Sequence, residues 1–271
     1  MFIGFNYTND LQLTAMQGSD IYIVNDYYRD ALTKRRIKTA LQSGKRVLVN
    51  RNTLEAKYAS GVLRQVHDYY EFYREFFDCP GFMLMIDDSH EDIDALIASA
   101  RFFVSLRKEF AMKLVAVVKS EREVERLLYA YAGILDPERD VIAFSDRVKR
   151  RVVHVNSPMI NDFEVMMLGV GHDFEFIRFN RERLHYLITS KSISALIRNP
   201  GCLNPLDVAF KPFWFIAFRN NIGLFNKEKV THVVNPFDKQ VMLHTSAVEN
   251  TRMFAVLIES FKHAIYDENT Q

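Results

Sequence analysis

Two cysteines in 271 residues, Cys79 and Cys202, are too few and too far apart for a disulfide framework or a cysteine-based zinc site. They read as buried thiols in a reducing interior. Charge of one sign is missing too. Lys plus Arg is 35 and Asp plus Glu is 34, a net +1, so no global field drives the chain onto nucleic acid or an anionic membrane. There is no long hydrophobic run. The densest aromatic stretch, Phe213–Phe218, is far too short to span a bilayer. Residues 1–7 carry neither a basic n-region nor an apolar h-region, so no signal peptide is expected, and the expected location is cytoplasmic. No G-x-G-x-x-G or G-x-x-x-x-G-K-[ST] follows any apolar run, no H-E-x-x-H or Cys/His pair has zinc spacing, and no G-x-S-x-G elbow exists. No metal or other cofactor is expected, although His90 and His172–Asp173 lie near acidic residues or glycines.

What is present is a series of short, unbroken apolar runs. They are Phe2–Phe5, Ile21–Val24, Val47–Val49, Phe82–Ile86, Leu114–Val118 and Val141–Phe144, with Val152–Val155, Val165–Leu168 and Tyr186–Thr189 following. The first six recur at about the spacing of a strand-helix unit. Strands apolar on both faces belong to parallel sheets covered by helices. Between them lie helical stripes. Ser120 with Glu123 reads as a capping box before Val124, Leu127, Leu128 and Tyr131. Ser89 reads as the cap of a helix burying Ile93, Leu96, Ile97, Ala100, Phe103 and Val104. A long helix over 61–77 places Val66, Tyr69, Tyr70, Tyr73 and Phe77 on one side.

This α/β pattern predicts a (β/α)8 TIM-like barrel over residues 1–200, closed or incomplete, with Val152–Val155 assigned to an insertion. An open doubly wound parallel sheet is the alternative. Residues 201–271 read as an aromatic-rich α+β extension packed on the barrel or on a second subunit. Residues 205–219 are the candidate homo-oligomer contact.

Each run ends in polar residues: Asn6, Asn25, Asn50, Asp87 with Asp88, Lys119, and Ser145 with Asp146. In a parallel barrel these converge on one rim, where such folds place binding and catalytic groups. Asp87 and Asp146 are the candidate catalytic acids, as general base or nucleophile. Asn6, Asn25, Asn50, Lys119 and Ser145 are candidate contacts for a small polar ligand or nucleobase. Asp88 reads as a turn or capping residue. Arg147, Lys149, Arg150 and Arg151 follow a strand directly and are candidate phosphate contacts for nucleic acid. A second basic stretch, from Arg29 to Arg46, reads as a solvated helix face, and the aromatic stripes, Tyr69 to Phe77 and Phe210 to Phe218, as core or subunit interface.

Three segments carry a family resemblance. Val141-Ile-Ala-Phe-Ser-Asp146 is placed like a strand leading to a substrate-binding loop. Met167-Leu-Gly-Val-Gly171 is placed like a strand ending in a Gly-x-Gly turn. His185-Tyr-Leu-Ile-Thr-Ser190 is placed like a strand carrying a nucleophilic aspartate. Over residues 80–200 the chain thereby resembles the tRNA-guanine transglycosylase (queuine tRNA-ribosyltransferase) superfamily of barrels. Val49-Asn-Arg-Asn-Thr53 stands where that family has an Asp-Ser-Gly-Gly-Phe-like segment, Thr189-Ser-Lys-Ser192 where it has the aspartate, and its zinc site is missing. The resemblance implies a transglycosylase-like transferase or hydrolase whose acid role falls to Asp87 or Asp146. The alternative is a non-catalytic barrel that binds nucleic acid or protein.

Overall fold

The computed structural model describes residues 2–4, 19–25, 29–50, 62–86, 92–107, 110–119, 121–170 and 183–189. Eight strands lie among them: β1 (Phe2–Gly4), β2 (Ile21–Asn25), β3 (Arg46–Asn50), β4 (Phe82–Met85), β5 (Lys113–Val118), β6 (Val141–Phe144), β7 (Glu164–Val170) and β8 (Tyr186–Thr189). Every pairing is parallel and follows chain order. β8 returns to β1 at three positions, so the ring of pairings closes. The interspersed helices are α1 (Ala31–Gln42), α2 (Val62–Tyr73), α3 (Ile93–Arg107), α4 (Val124–Ile134) and α5 (Arg151–Val155). The protein is an α/β fold built on a curled, all-parallel sheet.

Alternation along each strand sorts the core into two compartments. Tyr22, Val47, Val49, Phe82, Leu84, Leu114, Ala116, Ile142, Phe144, Val165, Met167 and Leu187 face the helices and join one large cluster. Into it α2 sends Tyr69, Tyr70 and Tyr73, α3 sends Ile93, Leu96, Ala100 and Phe103, and α4 sends Val124, Leu127, Leu128 and Tyr131. The tyrosines carry their hydroxyls in with them and need partners there. Tyr69 donates to the Met85 carbonyl at 3.0 Å and Tyr70 to the Leu106 carbonyl at 2.7 Å.

The opposite strand faces form a separate cluster inside the ring. Combined with the strand register, it resolves into stacked layers from alternate strands, the filling expected of a barrel interior. Ile21, Met83, Val141 and Tyr186 form one layer. Leu48, Val115 and Met166 form the next with Gly4, and Ile23, Met85, Ala143 and Ile188 the third. A Cβ on Gly4 would lie 2.7 Å from the Ile188 Cδ1. Glycine there is what lets β1 approach so closely.

Several local expectations are corrected. Residues 151–155 form α5, not a strand. A short apolar run does not distinguish the two by periodicity. α4 begins at Val124 with Glu123 as its N-cap at φ 52, so Glu123 is not the third residue of a capping box, and its carboxylate pairs with Arg126 instead. α3 begins at Ile93, and Asp92 caps it by accepting from the Ala95 N–H at 3.2 Å. Ser89 lies outside the described residues. The 61–77 helix ends at Tyr73 and tightens into a 3-10 turn, Arg74–Phe76. Cys79 is unpaired and half-buried; burial and then the Asp78 charge push its thiol pKa up. Cys202 and the whole of 201–271 lie outside the described residues. No helix among the described residues is long and apolar enough to cross a membrane.

Candidate functional site

Above the third apolar layer Asn50 shares the interior series with Val117 and Leu168, and polar residues follow at the strand ends. Asn50 ends β3 and is half-buried, and in backbone register it pairs with Asn25 at the end of β2. Two strands on, alternation carries the interior series Lys113, Val115, Val117 to Lys119, the residue after β5, which is 8% exposed. Burying an ammonium is costly unless polar or anionic groups face it. A nearly buried lysine at the end of β5 therefore has polar or charged groups facing it there.

The neighbouring turn after β6 is held from several sides. The Ser145 amide donates to the Val118 carbonyl at 2.9 Å, which sets Ser145 beside Lys119. The Ser145 hydroxyl donates to Asp146 Oδ1 at 3.1 Å and accepts from the Arg147 N–H at 3.3 Å. It therefore organises this turn. The Asp146 carboxylate, exposed to solvent, lies against Gly169 of β7: a Cβ on Gly169 would sit 2.8 Å from its Cγ and Oδ2. Gly169 has φ +67, in an irregularity of the β7–β8 register between Met167 and Val170. Arg151, 4% exposed, donates from Nη1 to the Leu168 carbonyl at 2.7 Å and pins α5 to that irregularity. Arg147, Lys149 and Arg150 are exposed on the same turn. The four basic residues thus divide into three surface cations and one buried anchor. Glu121 ties this turn to the loop after β5: it accepts from the Arg150 N–H at 3.4 Å and lies 3.8 Å from His154 Nε2.

The structure thus brings Asn25, Asn50, Lys119, Ser145 and Asp146 to one end of the sheet. Asn6 and Asp87 lie outside the described residues, as do Asp88, His90, His172 and Asp173. Among the described residues no group of three or more His, Cys, Asp or Glu side chains could hold a metal ion.

The other mouth of the barrel carries a polar layer that sequence reasoning missed. The odd-numbered strands open with Phe2, Arg46, Lys113 and Glu164 on their interior faces. Glu164 accepts from Lys113 Nζ and, at 2.7 Å, from the Tyr186 hydroxyl. Burial pushes the Glu164 carboxyl up, but the bonds from Lys113 and Tyr186 together hold its pKa below the ordinary value. Burial, then the bond to Glu164, pushes the Tyr186 phenol up. Arg46 stacks on the Phe2 ring at 3.2 Å, and Phe2 stacks on Tyr186 at 5.8 Å. Nearby, His185 Nδ1 accepts from the Val165 N–H at 3.1 Å, and burial lowers its pKa. These groups are satisfied by one another and act as a floor. The period-2 series Arg46-Leu48-Asn50, Lys113-Val115-Val117 and Glu164-Met166-Leu168 was the available signal. Charges at strand starts read instead as flanking turn.

The described residues thus set polar groups at the C-terminal strand ends, apolar layers in the middle, and mutually bonded charged groups at the strand starts. No protein-family model matches this sequence, and no curated protein sequence matches it.

Proposed function

We propose that the chain is a (β/α)8 barrel of the TIM type that binds a small polar ligand, of nucleobase or nucleotide character, at the C-terminal ends of its strands. One observation carries the reading: Lys119 is almost wholly buried at the end of β5, above the apolar middle layers and beside the turn bearing Asp146. An ammonium there meets a carbonyl or anionic oxygen. The amides ending β2 and β3 offer donors and acceptors, and Asp146 offers a carboxylate for proton transfer. Glycosyl transfer or hydrolysis, implied by the transglycosylase resemblance, is the reaction class that uses such a set, with Asp146 and Asp87 as the acids. The test is a thermal-shift panel of nucleobases and nucleoside monophosphates. A ligand at about a hundred times its Kd adds about 2.7 kcal/mol, an upward shift of about 5 °C or more at this size. Lys119→Gln is expected to remove that shift.

A second reading has its own observation: Arg147, Lys149 and Arg150 are all exposed on the turn that carries Asp146. Such a patch suits phosphate backbone contacts. It predicts RNA or DNA binding that weakens with salt, with a log–log slope of about −0.7 to −0.9 per phosphate neutralised. Substituting the three cations by alanine should flatten that slope.

A further inference from the structure

Near the rim β7 leaves its ladder. Its pairing with β6 ends at Met167, opposite Phe144, and its pairing with β8 steps from Met167–Leu187 to Val170–Thr189. Leu168 and Gly169 therefore face the single residue Ile188, a bulge in which Gly169 takes φ +67. Bulges at barrel rims re-aim the groups beside them. Two side chains of the β6–α5 connection take hold of this one. The Arg151 guanidinium, 4% exposed, donates to the Leu168 carbonyl at 2.7 Å. Asp146 lies where a Cβ on Gly169 would project, 2.8 Å from its Cγ and Oδ2. The backbone unit that Arg151 grips is thus the one on which the Asp146 carboxylate rests.

We propose that Arg151 is a positioning residue for Asp146: it fixes the bulge through the Leu168 carbonyl, and through Gly169 it fixes the seat of the carboxylate. The role rests on the reading of Asp146 as the rim acid given above. A carbonyl that has left its ladder needs another donor, and a guanidinium supplies a charge-assisted one. Asp146 is exposed, so burial does not fix its rotamer. Its neighbours do. On one flank the Ser145 hydroxyl donates to Oδ1 at 3.1 Å, and Ser145 is itself held by its amide bond to the Val118 carbonyl of β5. On the other flank stands Gly169, whose place depends on Arg151. Without the Arg151 bond the bulge shifts, and the carboxylate keeps its Ser145 bond but loses its second wall.

Carbon-detected NMR of the free, full-length chain tests this. In Arg151→Met the Asp146 side-chain carboxyl resonance and the Gly169 amide are expected to shift together, while Lys113 and Tyr186 at the strand starts keep their wild-type positions. Arg151→Lys keeps a donor for the Leu168 carbonyl and should return both resonances toward wild type. Val155 is fully buried on the same helix. Val155→Ala loosens that helix without touching the bond, so it should lower Tm and leave Asp146 in place. If Arg151→Met does not fold, Arg151→Lys carries the comparison, with smaller displacements of the same two resonances. The proposal is overturned if the Arg151 variants leave Asp146 unmoved, or if Val155→Ala displaces it as far as they do. The measurement uses no ligand. A nucleobase and nucleotide panel that gave no thermal shift would therefore count against the ligand site, while the coupling of Arg151 to Asp146 would stand or fall on the carboxyl resonance alone.

Discussion

Alanine at Gly169, compared with alanine at Gly44, separates the general cost of a left-handed backbone from the specific demand of the rim. Both glycines have positive φ, +67 and +76. Gly44 follows α1, and a Cβ added there meets nothing within 4 Å. Its substitution carries only the conformational penalty, about 1 kcal/mol. That corresponds to a fall in Tm of about 2–4 °C for a chain of this size. Gly169→Ala carries the same penalty, and its Cβ would lie 2.8 Å from the Asp146 Cγ and Oδ2. Asp146 is exposed and can retreat by several tenths of an ångström, so steric strain is relieved cheaply. Retreat takes the carboxylate off its 3.1 Å bond from the Ser145 hydroxyl, which adds about 0.5 kcal/mol at an exposed site. The two variants should therefore differ little in Tm, with Gly169→Ala lower by about 1–2 °C. They should differ sharply in the side-chain carboxyl 13C resonance of Asp146, which moves in Gly169→Ala and stays in Gly44→Ala. An unmoved Asp146 resonance, or a Gly169→Ala protein as stable as wild type, would refute the packing described for this turn.

Two further outcomes follow from buried groups away from the rim. Asp140 is fully buried, pairs with Arg107, and accepts from the Leu114 and Asp136 amides at 3.0 Å each; Asp140→Ala leaves Arg107 buried without a counter-charge and should cost about 3–5 kcal/mol in urea unfolding. His185 has a folded pKa lowered from 6.5 by burial, and its neutral Nδ1 accepts from Val165. Below the unfolded value the unfolded chain binds the proton more readily, so stability is full above about pH 6.5 and falls as pH drops through the folded value. Urea midpoints measured from pH 7.5 to 5 should show this loss, and His185→Asn should flatten it.

The strands were legible because buried parallel strands are continuous apolar runs, and Val141–Phe144 and Tyr186–Thr189 fall where the runs do. Their starts were less so. β3, β5 and β7 begin one residue earlier than the apolar runs, at Arg46, Lys113 and Glu164, because the floor satisfies charge with charge inside the barrel. Pattern reading assigns such residues to loops. The helical stripes of α3 and α4 were read correctly, whereas their first residues were not: capping depends on backbone angles such as the φ of 52 at Glu123, which composition does not encode. At the rim, the polar strand ends pointed to Lys119 and Asp146. The sequence could not tell that Arg151 is buried, because its role comes from a carbonyl 17 residues away, on Leu168.

The placement of the ligand site is tested most directly by NMR titration with whichever nucleobase or nucleotide gives the largest thermal shift. The side-chain resonances of Lys119 and the amides of Asn50, Ser145, Asp146 and Gly169 should move together and saturate at one Kd, while Lys113 at the floor stays still. Saturating shifts at Lys113, Arg46 and Tyr186, with Lys119 unmoved, would place binding at the wrong end of the barrel and contradict the proposed function.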